Sequence, residues 1–279
     1  MRRRLVATLA VTLLMPCGFR AFAQSGASRT LSTQADTVQV IIAHRGSSID
    51  RPENTLAAYQ RAYEAGAQAI EVDLRLTRDG YLVSLHDPVV DRTTNGSGPV
   101  SSLTLAEVKA LDAGSKFSPR YQNARIPTFQ EILVLAKGKL HVFLDLKGNG
   151  DAYREQVARE VRAYGEPQRI LLGVRNHEDI DFYRKALPEA RMVGLLPNPQ
   201  SLEDFLAAGV TTIRLWPDWL NDAALVDRFS KSGAALLTNA GRGTTEELKP
   251  LLTYRPTMLF TDDPASVSAQ LQQLRQANP

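Results

Sequence analysis

"IEVDLRLTRDGYLVSLHD", residues 70–87, holds two apolar, β-rich runs with only Arg78-Asp79-Gly80 between them. Asp-Gly between such runs predicts a tight hairpin, because both turn positions tolerate positive φ. Centring the turn on 79–80 pairs residues whose numbers sum to 159, which sets Asp73 across from His86. The rest of the chain behaves differently. Nine β-rich runs can be counted: 38–43, 69–75, 81–86, 141–146, 169–174, 191–196, 211–216, 234–239 and 257–261. Most are separated by helical patterns, which implies parallel βα units. "HVFLDL" and "TMLF" are continuous apolar runs, as strands buried on both faces should be.

The hairpin therefore decides the fold. With 81–86 set aside as an antiparallel extra, eight parallel strands remain. Eight βα units in about 256 residues, the length left after residues 1–23, is the size of an α/β (β/α)8 TIM barrel. An open doubly wound sheet fits less well, since no Gly-rich phosphate loop follows the first strand. Residues 87–127 form a long Gly/Ser/Thr-containing insertion after the hairpin, and loops of that length usually serve function. The helix after the first strand is capped by Asn54 or Thr55, carried by "LAAYQRAYEA" and ended by Gly66.

Residues 1–23 read as a secretory signal peptide. Arg2, Arg3 and Arg4 precede an apolar stretch from Leu5 to about Pro16, and Ala21-Phe22-Ala23 offers a cleavage site. A lipoprotein signal at Cys17 is disfavoured by Leu14-Met15-Pro16, which lacks a small residue before the cysteine. Residues 24–37 read as a flexible linker, and 38–279 as one domain. The expected location is periplasmic or secreted. Four of the 33 basic residues and none of the 30 acidic ones lie in residues 1–23. The mature chain is then near neutral, and a nucleic-acid partner loses its support. No later stretch is long enough to span a membrane, which needs roughly 20 apolar residues. The sole cysteine, Cys17, leaves with the signal, so no disulfide or thiol chemistry is expected. The sequence does not specify an oligomeric state.

In a barrel the C-terminal strand ends share one face, where chemistry is placed. There this sequence sets His44-Arg45, Glu71 and Asp73, His86-Asp87, Asp145 and Lys147, and Thr261-Asp262-Asp263. Residues two apart on a strand share a face, so Glu71 joins Asp73 and Asp145 joins Lys147. Glu71, Asp73 and Asp145 in one lumen repel unless a cation lies among them. Oxygen ligands suit a hard divalent ion, Mg2+ or Ca2+, rather than zinc. Arg45 and Lys147 suit an anionic substrate, a phosphate above all. His44 and His86 suit acid and base work near neutral pH. Singly, each has an ordinary structural explanation. Together they describe metal-assisted cleavage of a small-molecule phosphodiester. His141 begins a strand and His177 begins a helix, so both read as structural. Trp216 and Trp219 could wall a pocket or pack the rim.

The chain resembles the glycerophosphodiester phosphodiesterase family. The resemblance rests on "HRG" at 44–46, "PENT" at 52–55, "GAQAIEVDLRLTRDGYLVSLHD" at 66–87 and "DRTTNGSGPVSSLT" at 91–104. It continues in "LDAG" at 111–114, "IPTFQEIL" at 126–133 and "FTDDP" at 260–264. It implies a (β/α)8 barrel that releases sn-glycerol 3-phosphate and an alcohol. His44 and His86 would be acid and base, Glu71, Asp73 and Asp145 the metal ligands, and Arg45 and Lys147 the phosphate contacts. Glu53 would steady Arg45 or complete the polar shell, and Gly46 would let the backbone pass beneath the substrate. Two positions depart from the family pattern. Asp145 stands where a glutamate is usual, similar to the spider-venom phospholipase D branch, which cyclises its product. Leu237 or a neighbour replaces a tryptophan usual in the strand "ALLTNAG". A lysophospholipase D-like or cyclising reaction is thus the alternative.

Overall fold

The computed structural model describes residues 31–276. Residues 1–23, read above as a signal peptide, and residues 24–30 of the expected linker lie outside them. Strands β1 (Val40–Ala43), β2 (Ala69–Leu76), β4 (His141–Leu146), β5 (Ile170–Val174), β6 (Arg191–Leu195), β7 (Thr212–Arg214), β8 (Ala235–Asn239) and β9 (Met258–Thr261) run parallel. β9 pairs with β1, and β1 pairs with β2 through Ile42↔Ala69 and Ala43↔Ile70, so the sheet closes. The expected barrel is present. Its helices are α2 (Leu56–Glu64), α4 (Phe129–Ala136), α5 (Asp151–Tyr164), α6 (His177–Ala186), α7 (Leu202–Ala207), α8 (Ala223–Ser232), α9 (Thr245–Leu252) and α10 (Pro264–Gln276). A short helix, α3 (Leu105–Ala110), lies in the insertion, and α1 spans 31–35.

Burial follows the two-sided logic of a barrel. One apolar cluster, including Ile70, Val72, Leu144, Leu172 and Ile213, fills the layer between strands and helices. A second, including Ile42, Phe143, Leu171, Val193, Leu237 and Phe260, fills the lumen. The insertion has its own small core of Val83, Leu85, Val90, Val100, Val108, Ala113 and Ile126. That core holds the long segment against the hairpin. No helix among the described residues is long and apolar enough to cross a membrane.

Two expectations need correction. β3 (Leu82–Ser84) pairs antiparallel with β2, but Leu74↔Ser84, Arg75↔Val83 and Leu76↔Leu82 sum to 158, not 159. The loop is three residues, 78–80. Gly80 N–H donates to the Thr77 carbonyl at 3.0 Å and has φ +84°, and Thr77 N–H donates to the Tyr81 carbonyl at 2.9 Å. That is a turn followed by a left-handed glycine, the other hairpin that Asp-Gly serves. Asp73 therefore faces Leu85, whose N–H it accepts at 3.0 Å, and not His86. Second, residues 31–37 are not a free linker. Ser32 and Ala35 are buried, and Arg275 of α10 donates to the carbonyls of Ala35 and Val38 at 3.1 and 2.7 Å. Ser, Thr and Ala suggest a linker by composition, but an arginine that gathers their carbonyls orders them.

Candidate active site

The floor of the site is set by strand register. Glu71↔Phe143 and Asp73↔Asp145 are parallel-strand partners on β2 and β4, and paired residues point to the same side. Glu71, Asp73 and Asp145 are all buried. One oxygen from each lies within 4.8 Å of the others. The chain thus brings together the three carboxylates expected from its sequence.

Their surroundings say what the floor can hold. Glu71 accepts the Arg45 backbone N–H at 2.8 Å. Asp73 Oδ2 accepts from the Asn54 side chain at 2.8 Å, and Asn54 in turn accepts from Tyr59 and Ser84. Lys147 Nζ lies 2.8 Å from Asp145 and 3.1 Å from Asp73. Arg175 lies 2.6 Å from Asp145. Burial, joined by the charges of Asp73 and Asp145, pushes the Glu71 carboxyl well above its ordinary range. Burial also raises Asp145, but Arg175 and Lys147 outweigh it and the net shift is down. Oδ1 of Asp73 meets the Lys147 ammonium at 3.1 Å, and Oδ1 of Asp145 meets the Arg175 guanidinium at 2.6 Å, so cations already offset part of the charge on the floor. Three converging carboxylates still form an all-oxygen donor set, which fits a hard divalent cation.

The "HRG" turn builds the next layer. Arg45 and Gly46 both take positive φ, +58° and +85°. This turn aims the Arg45 N–H at Glu71. A Cβ at Gly46 would lie 2.6 Å from the backbone of Ala58, so the approach of α2 by itself demands the glycine. Thr55, not Asn54, caps α2, accepting the Ala58 N–H. Arg45 Nε lies 3.6 Å from Asp73, and its Nη1 donates to Glu53 at 3.1 Å. Glu53 also receives two hydrogen bonds from Arg92, both 2.8 Å. It therefore steadies Arg45 and ties the insertion to the barrel.

The two histidines are treated alike. His44 Nδ1 lies 2.8 Å from Asp262, and His86 Nδ1 lies 2.8 Å from Asp87. An ionised carboxylate can only accept, so each Nδ1 carries the proton. Each Nε2 makes no hydrogen bond among the described residues and is left to take or give one. Both side chains are part-exposed, at 30% and 36%. His86 is held at the mouth by Arg75, which donates to the Leu85 and His86 carbonyls. A cleft of about 180 Å³ opens between the barrel and the insertion, lined by Ser48, Glu53, Arg92, Thr93, Lys116 and Phe117.

His141 and His177 stand apart, as expected. His141 contacts the Arg169 carbonyl, and His177 pairs with Asp204 on the surface. Trp216 is 43% exposed at the rim, and Trp219 packs on the outer core. Asn54, Arg92, Arg175 and Arg214 were missed. Arg175 and Arg214 follow or end strands β5 and β7, so the strand-end criterion used for Lys147 would have found both.

A parallel barrel with an acidic floor, fixed cations and two carboxylate-held histidines defines an enzyme class that works on phosphate esters. The model of the glycerophosphoryl diester phosphodiesterase family matches residues 44–266, and the chain belongs to that family. A glycerophosphodiester phosphodiesterase of Caldanaerobacter subterraneus subsp. tengcongensis is 35% identical over 235 residues, 82% of this chain and 96% of that one. A glycerophosphodiester phosphodiesterase of Bacillus subtilis is 39% identical, covering 95% and 97%. The crystal structure of a glycerophosphodiester phosphodiesterase from Agrobacterium tumefaciens superposes with TM-score 0.72 at 27% identity, covering 83% of this chain and 100% of that one. An Oleispira antarctica phosphodiesterase, solved with the product sn-glycerol-3-phosphate, shares the fold with TM-score 0.76 at 24% identity, covering 86% and 99%.

Proposed function

We propose that the chain hydrolyses glycerophosphodiesters to sn-glycerol 3-phosphate and an alcohol at this barrel mouth. The observation that carries the reading is the pair of histidines, each with Nδ1 on a carboxylate and Nε2 free, above three converging carboxylates. Glu71, Asp73 and Asp145 would hold the ion, Mg2+ or Ca2+, which when bound supplies positive charge to the phosphoryl oxygens. Arg45 and Lys147 hold the phosphate by charge-assisted hydrogen bonds. One histidine takes a proton of the attacking water through Nε2, as the water oxygen bonds to phosphorus and the bond to the alcohol oxygen breaks. The other, protonated, gives its Nε2 proton to the leaving alcohol oxygen. Asp262 and Asp87 keep both rings in the required tautomer. Glu53 orients Arg45. The sn-glycerol-3-phosphate held by the Oleispira enzyme is the same product in the same fold.

Residues 1–23 support export, with the work done in the periplasm or outside the cell. The N-terminal residue of the protein recovered from its producing cells should then be Gln24. The test of the reaction is release of sn-glycerol 3-phosphate from glycerophosphocholine and glycerophosphoglycerol, with and without chelator. Activity should vanish with chelator and return with Mg2+ or Ca2+. Full turnover in chelator would remove the metal from this reading. A cyclic phosphate as the final product in the phosphorus NMR spectrum would replace hydrolysis by cyclisation.

A further inference from the structure

Arg214 is a cation to which the proposed chemistry gives no role. Arg214 ends β7, and its register partners Leu195 and Leu237 belong to the lumen cluster, so its side chain enters from the lumen side. Its guanidinium carbon lies 3.9 Å from the Trp216 ring centroid and 4.7 Å from that of Phe260. Phe260 meets His44 edge-on, with centroids 6.0 Å apart. Arg214 is thus one ring away from a histidine of the site.

Its partners are unusual. Arg45, Lys147 and Arg175 each lie against carboxylates. Among the described residues no carboxylate lies within ion-pair distance of Arg214, although the charges of Glu71 and Asp145 on the floor reach it from farther off. Nε and Nη2 both donate to one atom, Oδ1 of Asn239, at 3.1 and 3.0 Å, and Nη1 makes no hydrogen bond. Arg214 is part-buried, and a charge drawn out of water is ordinarily paired. Burial holds this guanidinium down at about 10, which still leaves it protonated at neutral pH. The two rings give the charge cation–π contacts, but neither they nor Asn239 supplies a counter-anion. Phe260 shields one side of it from water, and a charge shielded in this way acts more strongly on an anion than it would in solvent.

We propose that Arg214, bracketed by Trp216 and Phe260, is an anion subsite that selects glycerophosphodiesters bearing a second anionic group, a phosphate or carboxylate, beyond the scissile phosphate. This rests on the proposed reaction. The scissile phosphate belongs with Arg45 and Lys147 at the floor, so the group met by Arg214 is a different one. Asn239 turns the fork and leaves Nη1 for the ligand.

The test compares glycerophosphoglycerol with glycerophosphoglycerol phosphate, which differ by one phosphate on the same alcohol. Wild type should favour the phosphorylated compound in kcat/KM by on the order of 10- to 100-fold, mostly through KM. Arg214→Gln should collapse that ratio toward one, and Arg214→Lys should keep part of it. Equal kcat/KM in wild type, or a preference that survives Arg214→Gln, overturns the subsite. Calorimetric titration with sn-glycerol 3-phosphate and glycerol 1,3-bisphosphate gives a second readout that needs no turnover. Tighter binding of the bisphosphate, lost in Arg214→Gln, supports the subsite even if neither diester is cleaved, a result that would sink the reaction instead. No difference between the two ligands in wild type overturns the subsite whether or not the variant folds.

Discussion

His44 and His86 make the same 2.8 Å contact between Nδ1 and a carboxylate, yet the chain builds the two contacts differently. His44 follows β1, and its partner Asp262 follows β9, 218 residues away. Closure of the barrel brings them together: Ala43 is in register with Thr261, and the His44 N–H donates to the Thr261 carbonyl at 2.8 Å. Asp87 is instead the next residue after His86. It is held in place by Arg92 at 2.6 Å, and Arg92 is anchored on Glu53. One pair belongs to the scaffold, the other to the insertion. The site thus depends on docking of the insertion as much as on the barrel.

The largest expected effect tests whether the two histidines are equivalent. His44→Ala and His86→Ala should each lower turnover by about 10²–10⁴-fold, the usual worth of one acid or base. Melting temperature and affinity for the divalent ion should change little, because neither ring touches the three carboxylates. The double variant should lose less than the product of the single losses, since the groups act together. Near wild-type turnover in either single variant at its own pH optimum would make that histidine structural and break the symmetry.

A smaller effect separates scaffold from insertion. Asp262→Asn should cost turnover about 10- to 100-fold, because the amide can donate to Nδ1 and favour the wrong tautomer. Arg92→Gln leaves Asp87 in place but frees its orientation and that of Glu53, so a loss of roughly 3- to 10-fold is expected. Unchanged turnover in both variants would reduce Asp262 and Arg92 to packing roles.

The same division explains what was legible in the sequence. Strand ends of the scaffold are readable by position, so Glu71, Asp73, Asp145, Lys147, His44 and Arg45 could be gathered before any coordinates. The hairpin register was not, because Asp-Gly serves two- and three-residue loops equally well, and a shift of one residue removes His86 from across Asp73. His86 still reaches the mouth, through Arg75 and not through the ladder. Arg92 lies inside the insertion, where no period assigns a direction. Asn54 looked like a helix cap; its amide instead fixes Asp73 while Thr55 does the capping. Arg214 reads as one polar residue in "TTIRLW", and only the register of Leu195 and Leu237 turns it inward.

The smallest effect concerns acid stability and falls on the insertion side. The hydrogen bond from Arg92, aided by His86 against the opposing effect of burial, holds the Asp87 carboxyl at about 2. Its ordinary value is about 3.9. A carboxylate depressed in the folded state stabilises the fold above its unfolded pKa, and that contribution is lost as pH falls through the folded one. The window is therefore from about pH 4 down to about 2. Glu53 is shifted in the same direction: burial raises it, but Arg92 and Arg45 outweigh that. Asp87 is partly exposed, so screening leaves on the order of 1 kcal/mol or less. For a domain of this size that is about 2–4 °C in Tm. Arg92→Gln should therefore melt about 2–4 °C below wild type at pH 6, with the gap narrowing as pH falls below about 4. A gap of constant size across that range would mean that Arg92 anchors the insertion by packing. The charge network would then be incidental to stability, and the contrast between the two histidine pairs would rest on kinetics alone.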